Sequence, residues 1–117
     1  MADEKKRLLL VDADGTLSLE CLDELGRVCV VERARSEPEM WLHLDHETQH
    51  ELVIVVRGDP HAALALAWRV KERHPATAVI LFGMPMSAEI TRAAVLAGVD
   101  AIVAPGDCDA LCSAVAL

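Results

Sequence analysis

Leu52-Val-Ile-Val-Val56 is five aliphatic residues in a row, preceded by Glu51 and followed by Arg57-Gly-Asp-Pro60. A strand with one wet face alternates apolar and polar residues, whereas an unbroken apolar run of this length suits a strand covered on both faces. The same kind of run returns at Leu8–Val11 and Val28–Val31 before it, and at Val79–Phe82 and Ala101–Val103 after it. The starts of the five runs lie 20, 24, 27 and 22 residues apart. Each interval holds one helix and two short loops, the spacing of parallel strands joined by right-handed crossovers.

The intervals carry helix signals. Leu17, Cys21, Leu22 and Leu25 recur at helical spacing, with Gly26 placed to supply a left-handed C′ residue. Ser36 and Glu39 have the spacing of a capping box ahead of Met40, Trp41 and Leu44. Asp59-Pro60 reads as an N-cap and first-turn proline for a helix to Arg73, stopped by His74-Pro75. Ser87 is placed to cap a fourth helix that Gly98 closes, and Glu89 suits its positive end. Cys108, Leu111, Cys112 and Val115 fall on one face of a fifth.

The resulting expectation is an α/β fold, a doubly wound five-stranded parallel sheet, with residues 1–117 forming a single domain. Periodicity does not give the strand order. The order 2-1-3-4-5 is common for sheets of this size, and it puts a binding crevice at the carboxyl ends of the first and third strands. Here those ends are Asp12–Thr16 and Val56–Pro60.

Composition narrows function. At 53% apolar residues the chain can build a core, which excludes a disordered tail. Nineteen acidic residues against eleven basic give a net charge of −8, and the aromatic residues are Trp41, Trp68 and Phe82 alone. An acidic, aromatic-poor surface lacks both the cations and the stacking platforms of nucleic-acid binders, so direct nucleic-acid contact is not expected. No apolar run reaches the ~20 residues that span a bilayer, and the start of the chain has no signal-peptide pattern, so a cytoplasmic protein without membrane contact is expected.

Three stretches carry a family resemblance: Leu8-Leu-Leu-Val-Asp-Ala-Asp14, Glu51-Leu-Val-Ile-Val-Val-Arg-Gly-Asp-Pro60 and Ala97-Gly-Val-Asp-Ala-Ile-Val-Ala-Pro-Gly106. In this order and spacing they resemble the receiver domain of bacterial two-component response regulators, from Lys5 to Leu117. The resemblance implies a CheY-like, flavodoxin-like fold and a phosphorylation pocket, here degenerate. The phosphoacceptor aspartate falls on Val56, the acidic pair on Asp12 and Ala13 with Asp14 just beyond, the switch hydroxyl on Gly83, the switch aromatic on Ile102 and the lysine on Pro105. Aspartyl phosphorylation needs a nucleophile, a divalent cation held by several carboxylates, and a cation to meet the phosphoryl oxygens. Val56 and Pro105 supply neither nucleophile nor cation. The resemblance therefore implies a pseudo-receiver that acts by protein–protein contact, with no catalytic residues, no cofactor and at most a weak Mg²⁺ site at Asp12 and Asp14. Asp59, three residues past the acceptor position, is better suited to capping its helix.

A receiver of this kind would dimerise or dock a protein partner through the face of its fourth helix, fifth strand and fifth helix. Here the residues expected on that face are Ile90, Ala94, Ile102, Leu111 and Val115. The apolar ending Ser113-Ala-Val-Ala-Leu117 suggests the N-terminal part of a longer regulator, with an output domain beyond it. The alternative is enzymatic. Asp12-Ala-Asp-Gly-Thr-Leu17 resembles the first motif, D-x-D-G-T-L, of Mg²⁺-dependent haloacid-dehalogenase-type phosphatases, in which Asp12 would be nucleophile and Asp14 the acid/base. Only one strand separates Asp12 from Asp59, however, and no second acidic residue follows at the offset that family uses.

Three further groups have plainer readings. His43, His46 and His50 fall at spacings of three and four, fit for a metal, but also suit the solvated end of a helix. Cys21, Cys29, Cys108 and Cys112 form no C-x-x-C pair and are expected as thiols, with Cys108 and Cys112 small apolar residues one helical turn apart. Gly83-Met-Pro-Met-Ser87 either presents adaptable apolar surface to a partner or tucks both methionines beneath the fourth helix.

Overall fold

Strands and helices alternate throughout the residues that the computed structural model describes, 6–12, 15, 17–45, 51–56, 59–83 and 87–116. They are β1 (Lys6–Asp12), α1 (Leu19–Val28), β2 (Cys29–Ala34), α2 (Glu37–Leu44), β3 (Leu52–Val56), α3 (Pro60–Arg73), β4 (Ala78–Phe82), α4 (Ala88–Leu96), β5 (Ala101–Val103) and α5 (Cys108–Ala116). All neighbouring strands pair in parallel, in the order β2-β1-β3-β4-β5. Both the doubly wound architecture and the expected order are present.

The side-chain parity of the strands divides the core into two layers. Leu8, Leu10, Leu52, Ile54, Val56, Ile80 and Phe82 join Leu17, Cys21 and Leu25 near α1, and Leu111 and Val115 of α5, on one face. The intervening Leu9, Val11, Val53, Val55, Val79 and Leu81 join Met40 and Leu44 of α2, and Ala63, Leu66, Ala67 and Val70 of α3, on the other. Successive strand residues point to opposite faces, so a chain covered on both sides must be apolar at every position. All five residues of β3 are buried for this reason.

The helix ends follow local chemistry. Ser36, Asp59 and Ser87 each accept a backbone N–H of the first turn, from Glu39, His61 and Ile90 respectively. Gly98 adopts φ +81°, a left-handed value that favours glycine. Its N–H donates to Val95 O and that of Val99 to Ala94 O, the pair of bonds of a Schellman close. Asp100 then fixes the corner into β5: its carboxylate accepts the Val79 N–H at 2.7 Å and pairs with Lys71 Nζ at 3.1 Å.

Several boundaries differ from the sequence reading. Leu17 precedes α1, and Ser18 is the N-cap, its side chain accepting the Cys21 N–H. Gly26 lies inside α1 rather than ending it. The packing of Cys21 and Leu25 outweighs the roughly 1 kcal/mol that a helical glycine costs. Val28 is accordingly the last helical residue, and β2 runs from Cys29 to Ala34. The helix passes straight into an extended Cys29, whose N–H donates to Leu25 O.

Candidate functional site

Parallel pairing brings the carboxyl ends of the inner strands into line. Asp12 is the register partner of Val56, and Val56 of Phe82. Gly83 follows Phe82, and its N–H donates to Val103 O at 2.9 Å, drawing the end of β4 towards the segment that leads to Pro105. Four of the six residues assigned to the degenerate pocket, Asp12, Val56, Gly83 and Pro105, therefore stand at one end of the sheet; Ala13 and Asp14 lie outside the described residues. Asp12 and Val56 share the parity of Leu8 and Leu52, which face the α1/α5 layer.

The chemistry at this end is sparse. Asp12 is 2% exposed, and its Oδ2 accepts the Leu17 N–H at 3.1 Å, so the carboxylate holds the loop that leads into α1. Val56 is 6% exposed and presents only hydrocarbon. Gly83 has φ +90°, a conformation that a β-branched hydroxyl residue would adopt only under strain. Pro105 carries no charge. A hard divalent cation requires about six oxygen ligands, several of them carboxylates. The described residues offer Asp12 alone, already bonded to the backbone, and no group of three potential metal ligands occurs among them. Among the described residues, this donor set does not supply the ligands of a Mg²⁺ phosphorylation pocket.

Asp59 is the N-cap of α3. Its side chain is spent on the N-terminus of α3, accepting the His61 N–H at 3.0 Å, and the residue is exposed. Of the three histidines, His43 is described and approaches Glu32 at 3.5 Å; His46 and His50 lie outside the described residues, as do Met84, Pro85 and Met86.

Two assignments require correction. Ala94, Leu111 and Val115 are buried, Leu111 completely, because α4 and α5 turn these positions into the sheet. Of the proposed interaction face, only Ile90 and Ile102 are partly exposed, while the neighbouring Val95 and Leu96 of α4 are 71% and 73% exposed. The expectation of four thiols also fails. Cys21 and Cys108 form a disulfide, with Cα atoms 5.6 Å apart, between the first turns of α1 and α5. Cys29 and Cys112 take no part in a disulfide. Burial, reinforced by the nearby carboxylates of Glu24 and Asp109, pushes the Cys112 thiol above its ordinary pKa. The spacing of Cys108 and Cys112 within one helix hid this pairing. The legible signal was topological: strand order 2-1-3-4-5 lays the first and fifth helices side by side.

A polar seam between α2 and α3 also escaped the sequence reading. Arg69 donates to both Glu37 oxygens, at 2.7 and 3.2 Å, and Glu37 also accepts from Trp41 Nε1 at 3.1 Å. Arg73 pairs with Asp45 at 2.7 Å and lies 4.7 Å from the Trp41 ring centroid, while His74 contacts the other Asp45 oxygen at 3.0 Å. At the opposite, amino-terminal end of the sheet, Lys6, Glu51, Asp100 and Ala101 line a cavity of about 320 Å³, remote from Asp12 and Val56.

No protein-family model matches the chain, and no curated protein is similar to it. Its similarity is to solved structures. A response regulator from Thermotoga maritima superposes with a TM-score of 0.82 at 23% identity, over 96% of this chain and 95% of that one. The response regulator DrrB, a Thermotoga maritima OmpR/PhoB homologue, gives 0.74 at 21%, over 93% of this chain; the present chain spans 50% of its length. An atypical orphan response regulator, described as having a phosphorylation-independent regulatory mechanism, gives 0.75 at 22%, over 93% and 91% of the two chains.

Proposed function

We propose that this chain, which has the fold of response-regulator receiver domains, is a pseudo-receiver: a signalling module that works by protein–protein contact without aspartyl phosphorylation. The observation that carries the reading is Val56, a hydrocarbon side chain at the end of β3, in register with Asp12 where the receiver resemblance puts the phosphoacceptor. Gly83 and Pro105 support it, since neither offers the hydroxyl or the cation that would respond to a phosphoryl group. A receiver-like regulator with a phosphorylation-independent mechanism exists among the structural neighbours.

In this reading the domain occupies the cytoplasm as the N-terminal part of a longer bacterial regulator, and it contacts neither nucleic acid nor membrane itself. No helix among the described residues is long and apolar enough to cross a membrane. Contact with a second copy or a protein partner uses α4, where Val95 and Leu96 are exposed apolar residues, with the partly exposed Ile90 of the same helix and Ile102 of β5 at its border. A partner that binds one conformation of the domain better than another would shift its population, replacing phosphate as the input.

The test is incubation with a small-molecule phosphodonor and Mg²⁺, followed by intact-mass measurement. The expected spectrum is unchanged. An acid-labile phosphoryl increment that disappears in Asp59→Asn or Asp12→Asn would overturn the reading. Sedimentation of the wild type against Leu96→Glu tests the contact face: self-association at micromolar concentration should be lost in the variant.

A further inference from the structure

The Cys21–Cys108 pair stands in a position with consequences for the silent cleft. Cys21 is in the first turn of α1, three residues after the N-cap Ser18 and four after Leu17, whose N–H is held by Asp12. Cys108 is the first residue of α5, directly after Asp107, whose carboxylate accepts the Ala110 N–H, and three residues after Pro105. The bond therefore ties the first turn of α1, which follows Asp12 at the end of β1, to the first turn of α5, which follows Pro105. In the receiver resemblance Asp12 and Pro105 hold the positions of the acidic pair and the lysine.

The two sulfurs also differ in access. Cys21 is 1% exposed within the α1/α5 layer, whereas Cys108 is partly exposed at a helix N-terminus. Asp107 and Asp109 flank Cys108 in the chain, and the residue remains partly exposed between them. Leu25, Leu111 and Val115 belong to the apolar cluster of this layer, so its core does not consist of the two sulfurs alone.

From this juxtaposition we infer that Cys21 and Cys108 form a reversible thiol–disulfide switch that clamps and releases the first turns of α1 and α5 in place of a phosphoryl signal. The Cys108 thiolate attacks one sulfur of a low-molecular-weight disulfide, forming a mixed disulfide and expelling one thiolate, which takes up the proton Cys108 released. The Cys21 thiolate then attacks the Cys108 sulfur, expelling the second thiolate, which accepts the Cys21 proton. Two electrons pass from the protein cysteines to the small disulfide, and a dithiol reductant reverses both steps. In a reducing compartment a cysteine pair that closes and reopens is a sensor rather than a permanent staple. As a replacement input this rests on the phosphate-independent reading, but the chemistry at the sulfurs does not.

The experiment equilibrates the full chain with oxidised or reduced glutathione and reads it by alkylation, peptide mapping and amide exchange. Oxidised glutathione should leave two alkylatable thiols after denaturation, with Cys21 and Cys108 joined in the mapped peptides. Amide exchange at residues 17–22 and 107–111 should slow by about tenfold or more relative to the reduced chain. Cys108→Ser should abolish the difference, while Cys112→Ser should retain it. Four alkylatable thiols under oxidised glutathione, a Cys108–Cys112 linkage, a bond that the dithiol reductant fails to open in the folded chain, or identical exchange in both states would each overturn the switch. A parallel phosphodonor arm separates the two proposals, because a phosphoryl adduct defeats the receiver reading whatever the thiols do.

Discussion

The two layers flanking the sheet are held by different forces. On the α1/α5 side the helices join through apolar packing and the Cys21–Cys108 bond. On the α2/α3/α4 side an equally apolar interior is closed at its rim by charge: Arg69 to Glu37, Arg73 to Asp45, and Lys71 to Asp100. The difference shows where the fold concentrates its unusual chemistry. A receiver-type phosphorylation pocket would open at the carboxyl ends of the strands that meet the α1/α5 layer. At that end this chain has the uncharged Val56 and Pro105, and a disulfide joins α1 to α5. The opposite layer keeps ordinary surface electrostatics.

The largest expected effect tests whether the α1/α5 side tolerates charge at all. Val56→Asp would bury a carboxylate beside Asp12 with no described cation near it, which should cost about 3–5 kcal/mol in denaturant melts. Added Mg²⁺ should restore little of the loss. Full rescue by millimolar Mg²⁺ would mean that the cleft remains a metal site and that the contrast between the layers is drawn wrongly.

Next in size is the crosslink. Breaking Cys21–Cys108, by reduction or by Cys108→Ser, should lower stability by about 2–4 kcal/mol, since the bond closes a loop of most of the chain. Two-state thermal melts should record a fall in Tm of about 10 °C. An unchanged Tm would show that the α1/α5 layer rests on its apolar contacts alone.

Much of this architecture was readable in the chain itself. Five apolar runs at regular spacing gave the parallel sheet, and Ser36, Asp59, Ser87 and Gly98 marked helix ends because each satisfies orphan backbone groups locally. Where the sequence misled, tertiary packing had overruled a local preference, as at Gly26, which has helical neighbours that bury against the sheet. The interaction face was misjudged because periodicity gives the apolar stripe of α5 but not the side on which it lies; Leu111 and Val115 belong to the core. The disulfide and the α2–α3 seam left no local trace in the sequence, for a common reason. Cys21 with Cys108, and Glu37 with Arg69, meet across 87 and 32 residues of chain, and no local pattern encodes such a contact.

That seam supplies the third comparison. Arg69→Ala removes a two-point contact to Glu37, but the partners are 48% and 32% exposed, so solvent has already weakened the pair. A loss of about 1 kcal/mol is expected, smaller in high salt, because the Glu37 carboxylate retains its Trp41 Nε1 donor. A loss that grows with salt would point to packing by the arginine stem rather than to charge.

The smallest effect is expected on the outer surface of α1. Arg27 and Glu24 pair at 2.9 Å, shorter than many contacts in the seam, but with exposures of 71% and 53% and within a single helix. Distance alone would rank this pair above the Lys71–Asp100 contact at 3.1 Å; burial reverses the order, since the lysine side chain is only 20% exposed. An (i, i+3) pair in water stabilises a helix by a few tenths of a kcal/mol. Arg27→Ala should therefore shift the denaturant midpoint by no more than about 0.5 kcal/mol equivalent, while Lys71→Ala shifts it more. If the two substitutions cost the same, or Arg27→Ala cost more, charge would stabilise both layers alike. The α1/α5 layer could then no longer be described as joined by sulfur and hydrocarbon alone.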